Sequence, residues 1–119
     1  MDATAQETDE LCVLWTTGDR DVPLKMIFPY LESAAKKNWW NRITLVVWGP
    51  SSKVLANDPD LQAGIEGLNK DGVSLLACRS CAEAYGVVPV LTGLGITVIL
   101  MGEPLTRFLK NPRCSVMTF

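Results

Sequence analysis

The fold is decided by one stretch of the sequence, LLACRSCAEAYG at residues 75–86. Its first half is an apolar run, which is typical of the end of a buried strand. Its second half is typical of a short helix that ends at Gly86. The turn between the two halves carries two cysteines, Cys78 and Cys81, with the spacing Cys-x-x-Cys. The stretch therefore predicts two thiols at the point where a strand ends and a helix begins.

Strands and helices alternate along the rest of the chain. Apolar and β-branched runs predict strands at residues 11–15, 43–48, 73–77 and 96–100, and the alternating segment 114–119 predicts one more. Amphipathic or capped segments predict helices at residues 22–37, 53–57, 58–70 and 102–109. Ser51 or Ser52 is expected to cap the second of these helices, and Asp58 is expected to be the N-cap of the third. Pro29 is expected to kink the first helix or to break it locally, because proline has no amide donor. The pattern predicts a three-layer α/β/α sandwich with a mostly parallel sheet of about five strands.

Right-handed connections between parallel strands place all strand-to-helix turns at the carboxyl edge of the sheet, where open α/β sheets bind their ligands. The cysteine turn falls on this edge, as does the polar turn that follows the first strand. We therefore expect the two cysteines of the turn, Cys78 and Cys81, to be the reactive residues. Four polar residues at this edge are candidate binding residues: Thr17, Asp19, Arg79 and Ser80.

Length and charge restrict the classes of protein to which the chain can belong. The 119 residues predict a flexible acidic segment at residues 1–10 and a single domain at residues 11–119. The first residues resemble no signal peptide, and no apolar run reaches the ~18 residues of a membrane helix. A net charge of −2 without a basic run argues against binding to nucleic acid. We expect a cytoplasmic protein, whose thiols stay reduced, that binds neither nucleic acid nor a membrane.

The sequence contains four cysteines and no histidine. The absence of histidine excludes the Ser-His-Asp and Cys-His nucleophile arrangements and histidine-ligated zinc. Cys12 and Cys114 fall inside predicted strands, so we expect no metal and no other cofactor; a metal shared between subunits is the alternative. The adjacent indoles of Trp39 and Trp40 cannot both face one core, which favours either a subunit contact or a cover for the helix end.

The cysteine turn has a physical means of activation. The start of a helix carries about half a positive charge, which stabilises a thiolate at Cys78, and the neighbouring Arg79 adds to this effect. A thiolate attacks a disulfide or accepts sulfane sulfur as a persulfide. Cys81, one helical turn further on, can resolve such an intermediate or form a disulfide. The alternative is that both thiols only pack beneath the helix.

From residue 11 onwards the sequence resembles the DsrE/DsrF-like superfamily, the small α/β proteins of sulfur relays. The resemblance rests on the strand order, on the Thr-Gly-Asp turn at residues 17–19, and on VSLLAC at residues 73–78. In sulfur-relay members, a cysteine after the third strand carries a persulfide, and a glycine follows eight residues later. Cys78 and Gly86 have this spacing. The chain is more similar to a subset of uncharacterised relatives with a second cysteine at the position of Cys81.

The resemblance implies a sulfur-transfer protein, a sulfurtransferase or sulfur carrier, in which Cys78 accepts the sulfur. It also implies a homo-oligomer, a trimer or hexamer with its cysteine turns near subunit contacts, and partner proteins that donate or receive sulfur. Two alternatives remain open. One is a thiol–disulfide redox module that uses Cys78 and Cys81, and the other is a non-enzymatic oligomeric binding protein whose cysteines are structural.

Overall fold

The computed structural model describes residues 9–119, and these form a three-layer α/β/α fold. The strands are β1 (Glu10–Trp15), β2 (Arg42–Val47), β3 (Ser74–Cys78), β4 (Thr97–Ile99) and β5 (Cys114–Thr118). They form one sheet in the order β4-β3-β2-β1-β5, and every neighbouring pair is parallel. The predicted fold class is confirmed. Most of the predicted flexible segment, residues 1–8, lies outside the described residues, and its last residue, Glu10, begins β1.

A π-helical turn (Pro23–Ile27) and six helices connect the strands. The helices are α1 (Phe28–Lys36), α2 (Pro50–Asn57), α3 (Pro59–Lys70), α4 (Arg79–Tyr85), α5 (Val88–Gly93) and α6 (Gly102–Lys110). The π-helical turn lies directly before Pro29 and is closed by a hydrogen bond from the Phe28 amide to the Pro23 carbonyl. This wider turn accommodates a proline that has no amide to donate. Within residues 9–119, no helix has the length and apolar character needed to cross a membrane.

Helix α2 begins at Pro50, whereas the sequence pattern predicted its start at residue 53. Ser51 and Ser52, which were expected to cap this helix, are instead buried within its first turn. The Ser51 hydroxyl donates to the Trp15 carbonyl at 2.6 Å. This hydrogen bond ties the start of α2 to the end of β1, so the serine fixes a tertiary contact and does not cap the helix.

The chain order explains how the helices are distributed over the two faces. Strands β1 to β4 follow one another in one direction, so right-handed connections place helices α1 to α5 on one face of the sheet. These helices contribute buried side chains to the larger of two core clusters, among them Leu31, Leu55, Ile65, Ala82 and Leu91. The last connection runs back across the sheet from β4 to β5. The same rule therefore places α6 on the opposite face.

The face beneath α6 carries the smaller core cluster, whose buried members are Cys12, Leu14, Val46, Cys78 and Met101. Helix α6 packs against this cluster through Leu105 and Phe108, which are only partly buried, and it contains no fully buried residue. On the same helix, Leu109 remains 62% exposed. Among the residues that the structure describes, one helix covers this face of the sheet, and it does so incompletely.

Candidate functional site: the cysteine turn

The cysteine turn lies where two neighbouring strands are followed by helices on opposite faces of the sheet. Strands β3 and β4 are adjacent, and Cys78 at the end of β3 pairs with Ile99 at the end of β4. The chain leaves β3 towards the face with the larger cluster, where α4 and α5 pack, and leaves β4 towards the face covered by α6. In open α/β sheets, such a divergence opens the crevice in which ligands bind. The topology therefore marks this end of the sheet as the expected site.

Cys78 is both the last residue of β3 and the N-cap of α4. Its sulfur accepts a hydrogen bond from the Cys81 amide at 3.5 Å. The side chain is 6% exposed and lies in the smaller core cluster beside Met101. At the other end of the helix, Gly86 adopts a left-handed conformation with φ 70°, which glycine permits at low cost. The predicted strand, turn, short helix and glycine end are all present.

Cys81 lies in the first turn of α4 and is partly exposed. Its sulfur accepts a hydrogen bond from the backbone amide of Gly49 at 3.3 Å. Gly49 is the N-cap of α2 and has φ 75° and ψ −140°, a conformation that favours glycine. The start of a second helix therefore contributes to the site, and each of the two sulfurs accepts a hydrogen bond from a different backbone amide.

Burial raises the pKa of the Cys81 thiol above its ordinary value, and the hydrogen bond between this thiol and that of Cys78 raises it further. The Gly49 amide acts in the opposite direction, because its hydrogen bond favours the thiolate. Cys81 is therefore largely protonated near neutral pH.

Arg79 and Ser80, two of the candidate binding residues, separate the cysteines and are both exposed. The Arg79 Nε lies 3.5 Å from Glu83 Oε2, and 57% of the arginine side chain is exposed. An exposed ion pair within one helix is weak, so the guanidinium can exchange Glu83 for an arriving anion at little cost. These residues form the outer rim of the cysteine turn.

Thr17 and Asp19, the other two candidate binding residues, stabilise the loop after β1. The Thr17 hydroxyl accepts the Asp19 amide at 3.1 Å, and the Asp19 carboxylate accepts the Asp21 amide at 2.9 Å. The loop is attached to the start of α2, because the Ser51 amide donates to the Thr16 carbonyl at 3.1 Å. The Thr17 and Asp19 oxygens therefore stabilise the loop locally, and the Thr16 carbonyl attaches it to the same helix start that contacts Cys81.

The other two cysteines lie on β1 and β5 in a different setting. Cys12 is fully buried, and burial, with additions from Cys114 and Glu10, raises its pKa to about 12. Burial, with an addition from Glu10, also raises the pKa of Cys114. Both pack in or against the smaller cluster that contains Cys78. Within residues 9–119, no group of three or more histidine, cysteine or acidic side chains is arranged to hold a metal ion.

The sequence pattern did not identify Gly49 as part of the site. The contact between Gly49 and Cys81 joins residues 32 positions apart, and it depends on where α2 begins. The available signal was the Gly-Pro pair directly after the second strand, because proline favours the first position of a helix and its predecessor is then the N-cap. The turn at residues 49–52 was expected at the carboxyl edge, but with the helix predicted to begin at residue 53 the Gly49 amide was not recognised as its N-cap.

Taken together, fold and site define a small α/β protein with a pair of cysteines at the divergence point of a parallel sheet. A solved structure that closely matches it is that of the conserved protein of unknown function BT1422 from Bacteroides thetaiotaomicron. The two chains are 36% identical, the match covers 99% of this chain and 100% of that one, and the TM-score is 0.91. The chain belongs to the same family as BT1422.

A second solved structure shares the fold at lower sequence identity. The crystal structure of the YchN protein from E. coli, which has a DsrE-like fold, matches with a TM-score of 0.65 at 15% identity, over 93% of this chain and 99% of that one. No family model matches the sequence, and comparison with curated proteins gives no significant match. The fold is therefore DsrE-like.

Proposed function

We propose that this protein is a sulfurtransferase or sulfur carrier that holds sulfane sulfur as a persulfide on Cys78 and passes it to partner proteins. The observation that carries the proposal is the position of the Cys78 sulfur. It lies at the carboxyl end of β3, at the divergence point of the sheet, and accepts a hydrogen bond from the Cys81 amide. The DsrE-like fold and the cysteine after the third strand, which the chain shares with sulfur-relay proteins in its sequence pattern, support the same conclusion.

The chemistry is an exchange of sulfur without net oxidation. The Cys78 thiolate attacks the outer sulfur of a donor persulfide, a new sulfur–sulfur bond forms, and the bond between the two donor sulfurs breaks. The donor leaves as a thiolate and takes up the proton that Cys78 released. Delivery repeats the exchange in reverse with an acceptor thiol. The reaction requires no metal and no histidine, in agreement with a sequence that has no histidine.

The experiment is to load the protein with glutathione persulfide, alkylate it, digest it with trypsin and locate the added sulfur by mass spectrometry. Cleavage after Arg79 places the two cysteines of the turn on separate peptides, residues 71–79 and 80–107. We expect sulfur on peptide 71–79 in the wild type, and equal loading in a Cys114→Ser control. The assignment to Cys78 fails when sulfur is recovered elsewhere and peptide 71–79 carries none.

A thiol–disulfide redox module is the second candidate, and the Cys-x-x-Cys spacing at a helix start, where the Cys81 amide donates to the Cys78 sulfur, favours it. In this case Cys78 and Cys81 would form a reversible disulfide against a thiol buffer. A redox titration should then give a defined midpoint in the cytosolic range, roughly −200 to −300 mV. A pair that stays reduced throughout this range excludes the redox module and leaves the persulfide proposal intact.

We also propose that the protein forms a homo-oligomer, a trimer or hexamer, in the reducing cytoplasm. The face beneath α6 is the favoured contact, because one helix covers it incompletely and Leu109 is 62% exposed. Trp39, which is 52% exposed, is a second candidate contact. Light scattering after size exclusion should show a mass of three or six chains, reduced in Leu109→Asp but not in the Val90→Asp control. A monomeric wild type contradicts the proposal.

A further inference from the structure

The two cysteines of the turn differ in how they can be reached. Cys78 is 6% exposed and belongs to the smaller core cluster, whereas Cys81 is partly exposed in the first turn of α4. A bulky persulfide donor approaching from solvent therefore meets the Cys81 sulfur first. If the two thiols exchange sulfur, the more exposed thiol, Cys81, is the one that receives it from the donor. The buried thiol, Cys78, is protected from water and from soluble reductants.

The Cys81 sulfur also accepts a hydrogen bond from a residue outside its own helix. The Gly49 amide donates to it at 3.3 Å, while Gly49 itself is fixed as the N-cap of α2. A hydrogen bond to sulfur strengthens as negative charge develops on it. The amide therefore stabilises the Cys81 thiolate, both when this sulfur attacks a donor and when it departs as a leaving group.

We propose that the turn is an internal relay, in which Cys81 receives the sulfur, the Gly49 amide holds the Cys81 sulfur in position, and Cys78 then takes the sulfur over for storage. This inference rests on the proposed function and changes its first step: the external donor passes its sulfur to Cys81, and the persulfide on Cys81 is then the donor that Cys78 attacks. It also assigns a role to a glycine that the sequence pattern did not single out.

The relay consists of two exchange reactions, and the atoms and electrons balance in each. First, Cys81 releases its proton and bonds to the outer sulfur of the donor persulfide, the donor sulfur–sulfur bond breaks, and the donor leaves as a thiolate that takes up this proton. Second, Cys78 bonds to that outer sulfur, the Cys81–sulfur bond breaks, and the proton of the Cys78 thiol moves to Cys81. No oxidant or reductant is consumed.

The test follows the arrival of sulfur on peptides 71–79 and 80–107 over time, with glutathione persulfide as the donor. We expect Cys81→Ser to slow the loading of Cys78 by about tenfold or more. We expect Cys78→Ser to trap the sulfur on peptide 80–107. A Cys81→Ser protein that loads Cys78 at the wild-type rate overturns the relay but leaves the proposed function standing. An absence of sulfur on wild-type peptide 71–79 removes the proposed function itself.

The role of Gly49 has a matched control in the same chain. Gly49→Ala forces an alanine to adopt φ 75° and displaces the amide, which should slow the loading of Cys81 by about tenfold. Gly72→Ala likewise places an alanine at a positive φ, here 88°, but before β3 at the amino edge of the sheet. We expect this control to lose stability and keep the wild-type loading rate. Equal loading rates in the two folded variants would contradict the role of the Gly49 amide.

Discussion

Two pairs of cysteines share one apolar cluster of this protein, yet their surroundings differ. Cys12 and Cys114 lie inside adjacent strands, whereas Cys78 and Cys81 lie where β3 ends and α4 begins. Inside a sheet, the backbone amides are already paired with neighbouring strands. At a helix start they are free to donate, and here two of them donate to sulfur. The comparison teaches that the position of a thiol relative to a strand end, more than the face it shares, decides what chemistry it can support.

The largest expected difference between the two pairs is in sulfur uptake. The double variant C78S/C81S should lose persulfide formation to the background level, because both exchanging thiols are gone. The matched double variant C12A/C114S should retain uptake close to the wild-type level. Cyanolysis of the loaded proteins, which releases sulfane sulfur for colorimetric detection, measures both. Comparable uptake by the two double variants would show that the pairs do not differ in function.

The second-largest expected difference between the two cysteine pairs is in how the rate of alkylation depends on pH. Because the Cys81 pKa is raised, its thiolate fraction is small at neutral pH and grows as the pH rises. Its reaction with iodoacetamide should therefore accelerate by close to tenfold per pH unit above about pH 7. Cys12, with a pKa of about 12 and no exposed surface, should stay unmodified over the same range.

Peptides 80–107 and 1–20, which carry Cys81 and Cys12, report the two rates separately. If the rate of Cys81 alkylation has already reached its plateau at neutral pH, this result would contradict the raised pKa of Cys81. Modification of Cys12 in the folded protein would contradict its burial in the strand.

The same substitution should have different effects on stability in the two regions. Cys12→Ser places a hydroxyl without a partner in an apolar cluster, which should lower the free energy of unfolding by about 1–3 kcal/mol. Cys78→Ser replaces a thiol by a residue that N-caps helices well, so its change should stay within about 0.5 kcal/mol. Urea unfolding of both variants measures the difference. Equal losses would indicate that Cys78 is held as a core residue and not as a cap.

The smallest expected effect concerns the rim of the turn. Arg79→Gln should slow sulfur loading by only about twofold, because the guanidinium is exposed and paired with Glu83. Arg107→Gln is the matched control, since Arg107 lies 3.8 Å from Glu103 with the same spacing, but on α6. A loss of tenfold or more in Arg79→Gln alone would place Arg79 among the residues that bind the donor.

Much of the fold could be predicted from local sequence. Apolar runs identified all five strands, and the parallel arrangement followed from the alternation of strands with helices. Asp58 was predicted as the N-cap of α3 and accepts the amides of Asp60 and Leu61. The kink expected at Pro29 occurs as a π-helical turn. These features depend on neighbouring residues, so the sequence pattern contains them.

The remaining features depend on contacts between distant residues. The start of α2 was misplaced because Ser51 has the residue type of a cap, while its hydroxyl bonds to Trp15 on another strand. The hydrogen bond from Gly49 to Cys81 was missed for the same reason. The relative exposure of Cys78 and Cys81 depends on how the sheet and α6 pack, which no local pattern records. The turn itself could therefore be predicted, but not the order in which its thiols are reached.

The most direct measurement of the central claim is the distribution of added sulfur over the four cysteine peptides of the wild-type protein. Trypsin separates them as residues 1–20, 71–79, 80–107 and 114–119. After loading with glutathione persulfide, the account predicts sulfur on peptide 71–79, with an earlier and transient signal on peptide 80–107. It predicts none on peptides 1–20 and 114–119. Sulfur on the peptide of Cys114 at the level found for Cys78 would contradict it.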